Sequence, residues 1–245
     1  MAAPWIAPQG ARLPSARGDI DVLRIDLGGV PRGAVVVLPT AGALHRDAGA
    51  VMNRLAAQGY ESVAMDVSAA AGGSAGLVEA AMTGLAQRGW SAEQVGLIGY
   101  GAGGGPAALM AAATGANLGA AVSVAPVWTA EPASALRSAA RSAHLLRTPW
   151  LGLFGSGDAN APARAVAALA EALGTRAPVF SQLVVYPGVA GAFYLDSAQA
   201  AVHAAAYDSW QRTVEWLNLR VVPRLTPRAQ AWRQAHPEPV PSNGI

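Results

Sequence analysis

The chain has no cysteine and no lysine; its 17 basic residues are all arginine. Without cysteine there is no disulfide, no thiolate nucleophile and no cysteine-held metal. Without lysine there is no Schiff base on a protein amine, so pyridoxal-phosphate chemistry is excluded. Charge of either sign is scarce: 13% of the 245 residues are charged, and the formal net charge is +2. The arginines are scattered, with no basic stripe interleaved with aromatics, which argues against nucleic acid as a partner. The four histidines form no His-x-x-x-His pair, so no metal site is expected. The first residues, MAAPWIAPQGARLPSARGD, lack a basic segment followed by an apolar run. No secretory signal is expected, and the expected location is cytoplasmic.

Hydrophobic residues are plentiful, at 52%. A chain of this length can bury one large α/β core. From Gln94 to Ala130 no residue is charged, which raises a membrane span as a reading. The stretch is interrupted by many glycines, Pro106, Thr114, Asn117 and Ser123. A buried strand-helix-strand segment accounts for it better, and no membrane association is expected.

Strand-like runs alternate with helical ones. Asp21–Asp26 alternates as an edge hairpin strand would. Ala34–Leu38 is continuously apolar, as a strand buried on both faces should be. Asp47–Gln58 reads as a helix with Val51, Leu55 and Ala56 on one face and Gly59 as its stop. Ser62–Val67, Gln94–Gly99, Ala120–Ala125, Trp150–Phe154 and Val179–Tyr186 read as strands. Ala75–Arg88, Ala102–Ala113, Ala161–Leu173 and Ala198–Leu219 read as helices, the last one long and final, and Glu131–His144 reads as weakly helical. The alternation predicts an α/β fold, a mostly parallel twisted sheet with helices on both faces. One domain over residues 1–222 is expected. Residues 223–245 carry five of the 17 prolines and read as a loose C-terminal extension.

The stretch GLIGYGAGGGPAAL, residues 96–109, turns a buried strand abruptly into a helix. Gly99, Gly101 and Gly104 fit G-x-G-x-x-G, a dinucleotide fingerprint. Three strands precede it, and the next strand ends Ser-Val-Ala-Pro without the acid a ribose needs, so no dinucleotide or other cofactor is expected. Gly99–Gly103 also fits a nucleophile elbow, but its tip has no Ser or Cys.

Four segments carry a resemblance: AVVVLPTAGALHRDAGAVMNRLAAQGYESVAMDV, VGLIGYGAGGGPAALMAA, TPWLGLFGSGDANAP and VVYPGVAGAFYLD. Together they resemble the first strand and oxyanion loop, the elbow, the acid loop and the histidine stretch of the dienelactone hydrolase family, of the α/β-hydrolase fold. The resemblance runs from about Val35 to Leu219. It implies Gly101 at the nucleophile position, Gly191 at the histidine position and Asp158 as the remaining acid. The acid that the family often carries in its oxyanion loop falls at Thr40. The implied oxyanion amides are those of Ala41 and Ala102, which need no side chain. Glycine takes the strained backbone of such an elbow at little steric cost.

Candidate residues each have a structural alternative. His45, beside the oxyanion loop, is a replacement base or a surface histidine next to a helix N-cap at Asp47. Tyr100 is an acid or hydrogen-bond donor, or packing beneath the turn. Asp158 is a pocket acid, or a relic that caps the helix at Ala161. Trp128 and Tyr194 line a pocket or fill core. Thr40 and Ser156 are hydroxyls near the pocket, neither on the elbow. His144 and His203 read as structural.

Ordinary ester hydrolysis is not expected, because loss of a nucleophile or histidine costs a serine protease about 10⁶-fold in turnover. A lyase, isomerase, epimerase or cyclase acting on a small carbonyl compound could still use the two amides. Triad-less relatives with this fold take such roles in natural-product pathways, and an Ala- and Arg-rich chain suits a GC-rich bacterium. The other expectation is a binding protein that keeps the pocket for a small ligand or a partner. Either way, a small-molecule partner and a monomer or homodimer are expected.

Overall fold

The apolar runs become the sheet. Strands β3 (Gly33–Leu38), β4 (Tyr60–Met65), β5 (Val95–Tyr100) and β7 (Trp150–Gly155) are buried at every residue. Strand β6 (Ala120–Val127) is buried at all but its last. Such strands need apolar side chains in both directions because helices cover both faces. With β1 (Gln9–Leu13), β2 (Ile20–Ile25) and β8 (Gln182–Tyr186) they form an eight-stranded sheet of order β1-β2-β4-β3-β5-β6-β7-β8. Strands β3 to β8 run parallel, and β1 and β2 join antiparallel at one edge. The computed structural model describes residues 5–15, 18–69, 73–113, 117–195 and 199–236. Thr114, Ala198 at the expected start of the long helix, and residues 237–245 of the expected extension lie outside the described residues.

Alternation along β3 assigns the two faces. Val35 and Val37 point to helices α1 (Leu44–Ala56) and α6 (Ala200–Arg220), where Met52, Leu55 and Leu217 meet them. Val36 and Leu38 point to the face covered by α2 (Gly73–Gln87), α3 (Gly101–Ala113), α4 (Pro132–Arg141) and α5 (Ala163–Arg176). The chain leaves β3 toward β4 and returns to β5 on the other side of β3. This reversal leaves a crevice at the carboxyl ends of β3 and β5, the usual ligand location of open α/β sheets.

Three expectations need correction. Helix α1 begins at Leu44, and its N-cap is Ala43, which has no side chain to cap with; Asp47 is therefore inside the first turn. Glu131–His144 divides into α4 and a 3-10 turn at Ala143–Leu145. The extension holds a further helix, α7 (Pro227–Ala235), with the Thr226 hydroxyl accepting from the Ala229 amide. Just before it, Arg224 lies over the Trp90 ring at 3.7 Å and donates to the Gly89 carbonyl at 2.6 Å. Trp90 precedes β5, so this clamp sits at the amino-terminal end of the parallel strands.

Candidate functional site

Strand β5 ends at Tyr100 and α3 starts at once. Gly101 has φ +52° and Gly103 φ +79°, a region that costs an L-residue about 1–2 kcal/mol and glycine nothing. Ala102, at φ −69° and ψ 129°, is not helical although it lies in the first turn. Gly99 and Gly104 have a packing role: a Cβ on either would fall onto a backbone carbonyl of the neighbouring segment. These two glycines of the G-x-G-x-x-G pattern let a strand and a helix touch.

Protein atoms fill the space around the turn. The Thr40 and Tyr194 hydroxyls share a hydrogen bond of 2.7 Å directly over Gly101. A Cβ on Gly101 would overlap both hydroxyl oxygens. The Ala41 amide donates to the Ala102 carbonyl at 3.0 Å. This bond follows from the non-helical ψ of Ala102, which turns its carbonyl toward the first loop. An oxyanion expected at Ala41 and Ala102 therefore meets one donor that already has an acceptor.

Asp158 follows β7 and is 8% exposed. Its Oδ1 accepts from the Asn160 backbone amide at 2.8 Å and from the Asn160 side-chain amide at 3.0 Å. The cap of α5 is Pro162, without a side-chain hydrogen bond, so Asp158 closes its own Asx turn and does not cap the helix. The carboxylate lies against Gly191, where a Cβ would stand 2.7 Å from Oδ2. Ser156 Oγ accepts from the Gly188 amide at 2.8 Å and ties this loop to the turn after β8.

Beside the turn, between α1 and α6, is a cavity of about 310 Å³. Thr40, Tyr100 and Tyr194 form its inner wall, and Arg54 of α1 and Trp210 of α6 its far side. The Tyr100 and Tyr194 rings tilt against each other with centroids 5.1 Å apart. Burial, its main cause, raises the pKa of both phenols; nearby Arg54 opposes this at Tyr100, and the Thr40 hydrogen bond opposes it at Tyr194. Both hydroxyls stay protonated at neutral pH. The arrangement can offer neutral hydroxyl donors and one cation to an oxygen acceptor, inside largely apolar walls.

The structure thus brings Thr40, Tyr100, Tyr194, Gly101, Ala41 and Ala102 together, with Asp158 and Gly191 as a second contact pair. His45 is exposed on α1 and does not line the cavity. Trp128 packs against the core on the α2–α5 face, away from the cavity, and its indole N–H is buried without a partner among the described residues. His144 and His203 are exposed. Among the described residues no cluster of His, Asp and Glu could hold a metal, and no helix is long and apolar enough to cross a membrane. Arg54 and Trp210 are not legible from the motifs. A weak signal exists: Arg54 is three residues after Val51 and so shares its helical face.

The comparisons with known proteins agree with this fold. A putative carboxymethylenebutenolidase from Salmonella typhimurium (strain LT2) is 38% identical over 71 residues, 29% of this chain and 26% of that protein. One from Escherichia coli (strain K12) is 37% identical over the same share. The match therefore spans about a quarter of the curated relatives' length. Among solved structures, a putative dienelactone hydrolase from Klebsiella pneumoniae superposes with TM-score 0.73 at 24% identity, covering 86% of this chain and 98% of that one. A dienelactone hydrolase-like promiscuous phosphotriesterase from metagenomic libraries gives TM-score 0.69 at 21% identity, covering 89% and 99%. At these identities the likeness is one of fold, the α/β-hydrolase fold. The model of the dienelactone hydrolase family matches residues 74–220, which include the elbow, the Asp158 loop and the turn after β8. With more than half its length matched, the chain belongs to the dienelactone hydrolase family.

Proposed function

We propose that this family member binds a small carbonyl-containing metabolite without hydrolysing it, Gly101 and Gly191 standing where the family carries its nucleophile and histidine. One observation carries the reading. The place of a nucleophile side chain is taken by the Thr40–Tyr194 hydroxyl pair, and one of the two implied oxyanion donors, the Ala41 amide, is taken by the Ala102 carbonyl. A hydrolase has its nucleophile in the first place and keeps its oxyanion donors free for substrate. The Asp158 carboxylate, bonded within its own turn, has no histidine beside it to orient. The curated relatives have a hydrolase name; the family resemblance puts glycine at both catalytic positions of this chain.

A second reading, a non-hydrolytic isomerase, epimerase, cyclase or lyase, has its own support in Tyr194. Its hydroxyl lies on the cavity wall, is kept protonated by burial and could donate to a substrate carbonyl.

The test is untargeted mass spectrometry of bound and free fractions after incubation with a small-molecule extract, beside a p-nitrophenyl acetate assay. Binding predicts a compound enriched with unchanged mass and retention, and ester cleavage at the buffer rate. A compound that gains one water, or ester cleavage lost in Asp158→Asn, would sink the proposal. A compound of equal mass but changed retention, its conversion lost in Tyr194→Phe, would move the function to the second reading.

A further inference from the structure

Three charged side chains line the cavity between α1 and α6: Arg46, Asp47 and Arg54. Arg46 and Asp47 neutralise each other through bonds of 2.8 and 3.1 Å. Arg54, exposed at the rim, has no carboxylate partner among the described residues; its guanidinium lies over the Trp210 ring at 3.9 Å. A guanidinium stacked on a ring keeps its in-plane N–H donors free. The cavity thus carries one uncompensated positive charge.

Tyr100 supplies an independent sign. It is 8% exposed, lines the same cavity, and its hydroxyl has no hydrogen-bond partner among the described residues. A phenol O–H at the cavity wall without a protein partner is open to an acceptor that enters there. Arg54 is close enough to Tyr100 for each to act on the other electrostatically. The cation and the hydroxyl line one cavity, so a single small acceptor can meet both. Trp210, Tyr100 and Tyr194 add three aromatic rings to the wall. The volume is at the lower end of ligand pockets, and a single charge suits a monoanion better than a phosphate dianion.

We infer that this cavity recognises a small aromatic monocarboxylate, its carboxylate held by Arg54 and the Tyr100 hydroxyl and its ring packed on Tyr194. The inference rests on the binding reading above and gives it a ligand class. The two fail separately, since ester turnover bears on the elbow and charge selectivity bears on Arg54.

The experiment is isothermal titration of the full chain with phenylacetate, its neutral isostere phenylacetamide, and inorganic phosphate. The expected result is phenylacetate binding at least tenfold tighter than either of the others. Arg54→Gln should remove about tenfold or more of that affinity and leave phenylacetamide unchanged. Tyr100→Phe should weaken phenylacetate by a smaller factor. Arg141→Gln, on exposed α4, should change nothing, and melting curves of each variant confirm folding. Equal affinity for acid and amide, tighter binding of phosphate, undiminished binding by folded Arg54→Gln, or no phenylacetate binding up to about 10 mM would each overturn the inference.

Discussion

Gly101→Ala adds a single methyl, and its cost can be worked out before it is measured. At φ +52° the side chain introduces a left-handed penalty of about 1–2 kcal/mol. The methyl also meets the Thr40 and Tyr194 hydroxyls. Parting that pair loses a hydrogen bond with a net value of about 1 kcal/mol. Alanine restricts the unfolded chain and returns about 0.4–1 kcal/mol. The expected net destabilisation is about 1–3 kcal/mol. For a chain of this size that is a fall in Tm of roughly 2–12 °C. Urea unfolding followed by circular dichroism measures it. The double-mutant cycle with Tyr194→Phe is the sharper assay. In that background the hydrogen bond is already gone, so Gly101→Ala should cost about 1 kcal/mol less. A neutral Gly101→Ala, or the same cost in both backgrounds, would refute the claim that the hydroxyl pair fills the space above the turn.

Two further outcomes follow from buried polar groups. Ser123 Oγ donates to the Gly105 carbonyl at 2.7 Å and accepts from Trp150 Nε1 at 2.9 Å. Ser123→Ala strands that buried indole N–H and should cost about 1–3 kcal/mol by urea unfolding; under ~0.5 kcal/mol would show that the bond matters little. Burial raises the folded pKa of Tyr100 above its unfolded value of about 10. As pH rises the unfolded chain loses that proton first, so the stability is fully present below about pH 10 and declines above it, by about 1.4 kcal/mol per pH unit. Tyr100→Phe should make this alkaline decline shallower in urea midpoints taken from about pH 9 to 11, the other buried tyrosines keeping their share; an unchanged slope would count against it.

Much of the fold was legible because its signals are local. The continuous apolar runs of β3 and β5 can only be buried, and the glycines of residues 99–105 announce a turn where backbones touch. Strand β1, QGARL, has no apolar run because it is exposed at a sheet edge, so periodicity passes over it. Helix α7 did leave a sign, Thr226 followed by Pro227, an N-cap and first-turn pair, in a stretch where prolines suggested irregularity. The site was legible as positions but not as contacts. The bond from Ala41 to the Ala102 carbonyl depends on one ψ angle in a Gly-rich turn, and sequence leaves that angle open. The space over Gly101 is filled by residues 40 and 194, which only the folded sheet brings together. Arg54 and Trp210 face the cavity from helices far apart in the chain, so no motif could pair them.

The Arg224 clamp has a practical consequence. It holds the chain at the pole of the sheet opposite the Gly101 turn, where the strands begin. A reporter or surface anchor attached at the clamp lies at that pole, away from the Gly101 turn and the cavity beside it. Immobilised there, the protein should keep its ligand site open to solution, which suits a biosensor or an affinity matrix.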